Sequence, residues 1–273
     1  MIVGIASYNI HAHVPTDIHT HNQIIPSQNL KTQGYLEKIN DWTKKQKMRL
    51  NEKKTKSMIF NFSRKNPFTT KLKVNSVNIE IVREAKLLGT FITDDLSWNK
   101  NTHELVIKAF KRMQLLFKAA KFTNSKEDLK SIYITYVRSV IEQSSVVWHS
   151  SLSKKNRKDL ERIQKAAVKV IMGRNYSTYK EGLKKLKLDD LNQRREKLCL
   201  SFAKKCFKNE KVKDMFPLKK GIHRMKKRKS RTFQNVKANT NRYKKSAIPY
   251  MTKLLNDEYE EKCSIIKNCS SSA

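Results

Sequence analysis

The sequence predicts an α+β protein: a small antiparallel sheet with one helix, followed by a mainly α-helical domain and a basic tail. Apolar residues recur at helical spacing in residues 29–47 and again throughout residues 98–210. Between these stretches they alternate over short runs, which is the period of strands with one buried face. The 273 residues include six glycines and five prolines, and this scarcity favours long helices over a turn-rich β fold.

We divide the chain into four segments. Residues 1–28 are an irregular N-terminal segment rich in His, Pro, Asn and Thr, and their short apolar start lacks the basic region of a signal peptide. Residues 29–97 contain the first helix and the sheet, and residues 98–210 form the helical domain. Residues 211–273 are a basic, partly disordered C-terminal region.

The β-containing segment opens with a helix over residues 29–47. Its predicted inward face consists of Tyr35, Leu36, Ile39 and Trp42. A strand is predicted over residues 55–62, where Met58, Phe60 and Phe62 alternate. A hairpin follows around Asn75-Ser76, and another apolar strand is predicted over residues 86–92 around Gly89.

Four helices are predicted in the helical domain. The first begins after Trp98, and its predicted inward face consists of Leu105, Ala109, Met113, Leu116, Phe117 and Ala120. The second is capped by Ser125 with Asp128 and carries Leu129, Ile132, Tyr133, Tyr136, Val137 and Val140. The third runs from Ser153 to Gly173 with Leu160, Ile163, Ala167 and Ile171 inward. The fourth starts at Asp190 with Leu191, Leu198, Cys199, Phe202 and Cys206 inward.

The charge balance points to a polyanionic partner. The chain has 59 Lys and Arg against 24 Asp and Glu, a formal net charge of +35 and a pI of about 10.1. Nucleic-acid phosphates suit this surplus better than an anionic membrane surface does. No stretch approaches the roughly 18 apolar residues of a membrane span. We therefore expect an RNA or DNA partner, no membrane, and a nuclear or cytoplasmic, not secreted, location in which the four cysteines are free thiols.

The basic surplus is densest in residues 219–245, which contain no acidic residue. The predicted nucleic-acid contacts of this tract are Arg224, Lys226, Lys227, Arg228, Lys229, Arg231, Phe233, Arg242 and Tyr243. Phe233 and Tyr243 belong to this set because aromatic rings among cations stack bases. Residues 226–229 also read as a nuclear import signal, and a solvated tail is the plain alternative. The apolar run at residues 248–255 is expected to dock back on the fold, and the tail from Lys262 is expected to fray.

Several ordered motifs resemble one family. Residues 50–60 read LNEKKTKSMIF, residues 86–92 read KLLGTFI, and residues 94–98 read DDLSW. Downstream, residues 136–142, 147–152, 160–167, 186–188 and 248–250 continue the likeness. Together they resemble the reverse transcriptases of non-LTR retrotransposons (LINE elements) of the jockey and chicken-repeat type, over about residues 30–255.

The resemblance implies the C-terminal part of an RNA-directed DNA polymerase: the end of the palm in residues 29–97 and a thumb-like domain in residues 98–210. In the family, the Tyr-x-Asp-Asp hairpin precedes the helix that starts here near Leu30, and residues 1–30 do not spell it. Two-metal catalysis needs carboxylates from two strands. We therefore expect no complete catalytic site, no metal site and no cofactor in this chain alone, with Mg²⁺ serving the complete enzyme.

The resemblance also suggests individual contacts. Lys54, with Asn51 and Thr55, matches the motif whose lysine acts on the incoming nucleotide, although a solvated lysine is the alternative reading. Leu88 and Gly89 match the primer-grip strand, where a packing or bulge role is the alternative. These five residues complete the predicted nucleic-acid contacts.

Other chemically suggestive residues have structural readings. Asp94-Asp95 is expected to form a turn or cap rather than a metal site, because a helix follows it. The cluster His11, His13, His19 and His21 is expected to lie in a variable loop rather than to hold zinc. Cys199 and Cys206 are expected to be core thiols, while Cys263 and Cys269 lack zinc-knuckle spacing. Trp148 is expected to fill the core and donate its indole N–H locally, with base stacking as the alternative.

The predicted function is nucleic-acid binding by the C-terminal fragment of a retroelement polymerase, without autonomous catalysis. Three alternatives stay open: a stand-alone RNA- or DNA-binding module, a non-functional relic, and an enzyme part completed by the missing N-terminal polymerase portion.

Overall fold

A computed structural model describes residues 26–60, 71–218, 233–238 and 240–270, with side chains placed for residues 32–60, 71–218, 233–238 and 240–260. The chain divides into two compact units, with the boundary between Lys100 and Asn101. The described residues are mostly helical and carry small two-stranded sheets. The α+β class is therefore confirmed, and a palm or thumb fold stays a prediction.

The first unit contains helix α1 (Pro26–Lys45) and a small apolar core. Leu36 is buried there with Leu50, Leu72, Val74 and Ile79. The predicted inward face of α1 is correct for Leu36 and wrong for Tyr35 and Trp42, which are 64% and 57% exposed. The neighbouring sheet covers one row of α1 side chains, and Ile39 is half-buried at its edge.

Three two-stranded sheets occur among the described residues of this unit. Strand β1 (Lys56–Ser57) pairs in parallel with β4 (Glu80–Ile81), whereas β2 (Lys73–Val74) and β3 (Val77–Asn78) form an antiparallel hairpin. The hairpin prediction around Asn75-Ser76 is confirmed, and both turn residues have positive φ. The prediction of one antiparallel sheet is wrong in detail, because β1 joins β4 in parallel.

The predicted strand over residues 55–62 is mostly absent from its described part, residues 55–60. Pairing stops after Ser57, Met58 and Phe60 are half-buried outside any strand, and Phe62 lies outside the described residues. The run at residues 86–92 is also not one strand. It is a hairpin of β5 (Glu84–Leu87) and β6 (Thr90–Thr93), turned at Leu88-Gly89.

The second unit is helical and begins with most of helix α2 (Asn99–Phe122). The remaining elements are α3 (Lys126–Ile132), a π-helical segment (Tyr133–Arg138), α4 (Ser139–Ile141), α5 (Ser145–Trp148), α6 (Lys154–Met172), α7 (Tyr179–Leu186), α8 (Leu191–Lys208), α9 (Asn241–Lys244) and α10 (Ala247–Ser270). Short 3₁₀ turns cover His149–Ser151, Gly173–Asn175 and Lys213–Met215.

Helix starts follow the cap residues closely. The side chains of Ser125, Ser153 and Asp190 accept hydrogen bonds from the backbone N–H three residues on, as predicted. Thr178 does the same for α7, a helix that was not predicted. In a capping box, the Asp128 side chain would accept a hydrogen bond from the Ser125 backbone N–H. Here that N–H donates to Thr123 Oγ1 instead.

The inward faces predicted for these helices are largely buried. Leu105, Ala109, Met113 and Leu116 of α2 are buried, as are Leu160, Ile163, Ala167 and Ile171 of α6. Three assignments are wrong: Phe117, Tyr136 and Phe202 are 40%, 52% and 43% exposed. Tyr136 lies in the π-helical segment, where the wider turn shifts side-chain positions away from a 3.6-residue period.

The C-terminal helix α10 packs against α8 and closes a second apolar core. Its buried members are Cys199, Ala203, Phe216, Phe233, Met251 and Leu255. The expectation that residues 248–255 dock back is thus confirmed. Helix α10 continues through Ser270, past the expected fraying point at Lys262. Among the described residues, no helix has the length and apolar content needed to cross a membrane.

Candidate nucleic-acid interface

Residues 51–55 form a closed turn in the first unit. The Asn51 side-chain oxygen accepts a hydrogen bond from the Lys54 backbone N–H at 3.0 Å. The Asn51 backbone carbonyl accepts from the Thr55 N–H at 3.0 Å and from Thr55 Oγ1 at 2.8 Å. These bonds make Asn51 and the buried Thr55 parts of the turn itself. The Lys54 side chain is exposed, so its ammonium group is open to an anion.

Glu52 lies in the same turn and connects it to the β2–β3 hairpin. The Asn75 side-chain amide donates a hydrogen bond to Glu52 Oε1 at 2.8 Å. This bond, followed by a backbone bond and the interaction with Arg49, lowers the pKa of Glu52. A carboxylate therefore lies close to Lys54 in sequence and reduces the local positive potential.

Leu88 and Gly89 form the two-residue tip of the β5–β6 hairpin. Their φ values are +47° and +88°, the left-handed region that tight hairpin turns require. Gly89 is suited to this turn because it has no Cβ. Leu88 is 88% exposed. The pair therefore has a turn role rather than the packing or bulge role weighed as the alternative, and it presents an apolar side chain at the hairpin tip.

Asp95 closes the turn between β6 and α2. Its Oδ1 accepts hydrogen bonds from Thr93 Oγ1 at 2.6 Å and from the Ser97 N–H at 2.9 Å. The expected turn role is confirmed for Asp95. Within the part of the chain that the structure describes, no group of three His, Cys, Asp or Glu side chains is arranged to hold a metal ion.

The predicted contacts of the basic tract divide into two groups. Arg224, Lys226, Lys227, Arg228, Lys229 and Arg231 lie outside the described residues, as do His11, His13, His19 and His21. Arg242 is exposed on α9 and Tyr243 is half-buried beside it. Phe233 is 8% exposed and packs edge-on against Phe207, with ring centroids 5.0 Å apart. The base-stacking prediction for Phe233 is therefore wrong, because its ring is part of the core.

Helix α6 carries a row of cations that none of the sequence motifs indicated. Lys154, Lys158, Arg162, Lys165 and Lys169 are spaced four, four, three and four residues apart, and Lys155 flanks them. This spacing places them on one face of the helix, and all six side chains are exposed. We call these six residues the α6 stripe. Their spacing in the sequence is the signal that could have identified them.

The α6 stripe is opposed by few acidic groups. Asp159 lies beside it and reaches Arg162 at 3.9 Å. Lys165 lies over the Tyr179 ring, with its nitrogen 5.3 Å from the ring centre. The Glu161 carboxylate points elsewhere, accepting hydrogen bonds from Tyr179 and from the Leu191 backbone N–H. The stripe therefore keeps most of its positive charge for a ligand.

Helix α2 presents a second face of mixed character. Phe110 and Phe117 are seven residues apart and about half exposed, and Phe122 is 90% exposed. Interleaved with them are the exposed Lys111, Lys118 and Lys121. Glu104 is the single acidic residue in α2. Exposed aromatic rings among lysines have the chemistry of a single-strand binding surface.

A buried polar centre lies between α5, α8 and α10 and was not foreseen. Trp148 and Arg195 are both fully buried, with the guanidinium carbon 5.7 Å from the indole centre. Arg195 Nε donates to His149 Nδ1 at 3.3 Å, and the His149 ring meets Tyr250 edge-on. The Trp148 indole donates to the Gln143 carbonyl at 3.0 Å. The predicted core role of Trp148 is confirmed, and base stacking by this ring is excluded by burial.

The charge state of this centre follows from its burial. Burial, then the nearby charges of Arg195 and Arg157, lower the pKa of His149 to about 3, so its imidazole is neutral. Burial lowers the pKa of Arg195 to about 10, and the guanidinium stays charged at neutral pH. Burial also raises the pKa of Cys199 to about 11, which leaves an unreactive core thiol as predicted.

Comparison of the chain with protein-family models, with curated proteins and with solved structures finds no match. No family is therefore assigned by similarity. Among the described surfaces, the α6 stripe carries the most positive charge.

Proposed function

We propose that this chain binds nucleic acid through its phosphate backbone, as the C-terminal part of a retroelement RNA-directed DNA polymerase. The observation that carries the proposal is the α6 stripe. Six exposed cations on one helix face suit an extended polyanion, because a small anion would neutralise only one or two of them.

The dimensions of the stripe fit a nucleic-acid strand. Lys154 and Lys169 are 15 residues apart, which corresponds to about 22 Å along a helix axis. One strand of a duplex carries a phosphate every 3.4 Å or so, and about six phosphates therefore match that length. Each cation that pairs with a phosphate releases a condensed counterion, so binding through the stripe is strongly salt-dependent and weakly sequence-dependent.

The outer face of α2 supports the same function by a different contact. Phe110 and Phe117 offer flat apolar surfaces that can stack with unpaired bases, whatever their identity. Lys111 and Lys118 lie next to them and suit the adjoining phosphates. A polymerase fragment that holds both duplex and single strand needs both kinds of surface.

The polymerase origin rests on the motif resemblance and is a further step of the proposal. In that reading Lys54 contacts the incoming nucleotide, the Leu88-Gly89 tip lies near the primer strand, and Mg²⁺ is bound by the complete enzyme. The exposed ammonium of Lys54 and the exposed side chain of Leu88 are compatible with these contacts.

A second candidate function is an enzyme part completed by another polymerase portion. The observation that favours it is the apolar face of α1. Tyr35, Ile39 and Trp42 lie along one side of that helix, and Tyr35 and Trp42 are more than half exposed. A protein partner covering this face would bury two large aromatic rings. A stand-alone binding module or a relic has no comparable need for a partner.

The test is binding of the purified full chain to a labelled primer–template hybrid over a salt series, in the presence of Mg²⁺ and nucleotides. Pairing of all six stripe cations gives a slope of about −5 for log K against log salt. The double variant Lys158→Ala/Lys169→Ala should reduce the magnitude of the slope by about 2, because it removes two phosphate contacts.

The matched control is Lys205→Ala/Lys208→Ala, which removes two exposed lysines from α8. An equal loss of slope in both variants would show that net charge, not the stripe, governs binding. Binding without primer extension supports a nucleic-acid clamp, whereas extension by the purified chain would overturn the absence of autonomous catalysis.

A further inference from the structure

A cavity of about 330 Å³ lies in the second unit, among α3, the end of α6 and the end of α7. Its lining residues are Lys126, Glu127, Lys130, Met172, Lys185, Leu186 and Lys187. The volume is at the lower end of the roughly 300–1,000 Å³ that small-ligand sites occupy. We call it the lysine cavity.

Basic side chains predominate in the lining of the lysine cavity. Four of its seven residues are lysines, and Glu127 is the only acidic one. Among the described residues, none of these four lysines forms a salt bridge. The buried side chains of Met172 and Leu186 supply apolar surface. Four like charges around one cavity repel each other, and a bound anion relieves that repulsion.

The lysine cavity lies at the C-terminal end of the α6 stripe. Met172 follows Lys169 by three residues and Lys165 by seven, so helical geometry places Met172 on the same side of α6. The rise between Lys169 and Met172 is about 4.5 Å. A nucleic-acid strand that lies along the α6 stripe and continues toward the end of α6 therefore reaches the lysine cavity.

We propose that the lysine cavity binds a phosphate group that carries two negative charges. Lysine ammonium groups are compact point charges that suit such a dianion. Two sources supply this chemistry: the terminal phosphate of a strand lying along the α6 stripe, or a free polyphosphate. The first source rests on the proposed function, whereas the second is independent of it.

The experiment uses the full chain and two probes. Isothermal titration with inorganic tripolyphosphate measures the cavity without any nucleic acid. Competition between a 5′-phosphorylated and a 5′-hydroxyl oligonucleotide of the same sequence measures the contribution of a strand end. Failure of nucleic-acid binding leaves the tripolyphosphate result intact, so the two proposals fail separately.

The cavity variant is Lys130→Ala/Lys187→Gly. Lys187 ends α7 with a φ of +52°, a conformation that glycine adopts without strain, so this substitution removes a cation without harming the helix end. The matched control is again Lys205→Ala/Lys208→Ala. We expect the dissociation constant for tripolyphosphate to rise at least fivefold in the cavity variant and less than twofold in the control.

A third variant tests the cavity in the opposite direction. Glu127→Gln removes the acidic lining residue, and we expect it to tighten tripolyphosphate binding two- to threefold. For a strand end, the 5′-phosphorylated oligonucleotide should bind at least threefold more tightly than its 5′-hydroxyl counterpart, and the cavity variant should abolish that difference. Equal tripolyphosphate affinities in the cavity variant and the control, together with no effect of the 5′-phosphate, would overturn the proposal.

Discussion

Gln164 joins three parts of the helical unit through one buried amide. Its side-chain oxygen accepts a hydrogen bond from Tyr133 at 2.6 Å. Its nitrogen donates to the Tyr179 hydroxyl at 3.0 Å and to the Asp189 backbone carbonyl at 2.9 Å. The π-helical segment, α7 and the loop before α8 thus meet at a single side chain of α6.

Replacing Gln164 should therefore be costly. Gln164→Ala leaves the Tyr133 hydroxyl and the Asp189 carbonyl without their partner, and an unsatisfied buried polar group costs about 1–3 kcal/mol. With the cavity that truncation creates, we expect the free energy of unfolding to fall by about 3–4 kcal/mol. Urea unfolding measures this change. Gln193→Ala, at an exposed position of α8, should change it by less than about 0.5 kcal/mol.

His149 makes the stability of the helical unit depend on pH. Its pKa is about 3 in the folded chain and near 6.5 when unfolded, so between these values the unfolded chain binds the additional proton. The contribution of His149 to the free energy of unfolding is therefore fully present above pH 6.5 and is lost as the pH falls toward 3. The loss is at most about 1.4 kcal/mol for each pH unit below 6.5.

Comparison with His149→Gln isolates this contribution. The Gln side-chain oxygen can still accept from Arg195 Nε but does not titrate in this range. As pH is lowered from 7 to 4.5, we expect the free energy of unfolding to fall more for the original chain than for His149→Gln. Parallel curves over that range would show that His149 does not contribute.

At the scale of elements, the helices were the predictable part. Ser125, Ser153 and Asp190 each marked a helix start, because a side-chain oxygen at that position satisfies a backbone N–H that has no helical partner. The apolar period of α6 gave its buried face correctly. These signals are local, and local signals can be read from sequence.

The strands and the π-helical segment were less predictable for physical reasons. Strand β1 is two residues long and pairs in parallel with β4, a choice made by tertiary contacts rather than by alternation of side chains. The widened turn at Tyr133–Arg138 has no propensity signature. The α6 stripe could have been found from its spacing, whereas the lysine cavity required three separate elements to meet.

The start of α6 offers a test of the cap assignment. Ser153 Oγ accepts the Asn156 N–H at 3.1 Å. Ser153→Ala should lower the free energy of unfolding by about 1 kcal/mol, because that N–H loses its partner. Ser153→Asp keeps an acceptor and adds a favourable charge at the helix start, so it should be neutral or slightly stabilising. The stabilities are measured by thermal or urea unfolding. If both variants are as stable as the original chain, the cap assignment is wrong.

At the scale of the whole molecule, the two units have unequal cores among the residues that the structure describes. The first unit buries a cluster of five apolar side chains, Leu36, Leu50, Leu72, Val74 and Ile79. The second buries long rows of side chains on α2, α6 and α8 together with the cluster beneath α10. Apolar burial is the main favourable term in folding, and the first unit therefore has less of it to offset the entropy of its ordered chain.

We therefore expect the two units to open at different free energies. In native-state hydrogen exchange on the full chain, amides of the β2–β3 and β5–β6 hairpins should exchange at least a hundredfold faster than slow amides of α6, a gap of about 2.7 kcal/mol. Leu72→Ala should accelerate exchange in the hairpins and leave α6 unchanged, whereas Ile163→Ala should accelerate α6. A single opening free energy shared by hairpins and α6, shifted equally by both variants, would show that the chain unfolds as one cooperative body.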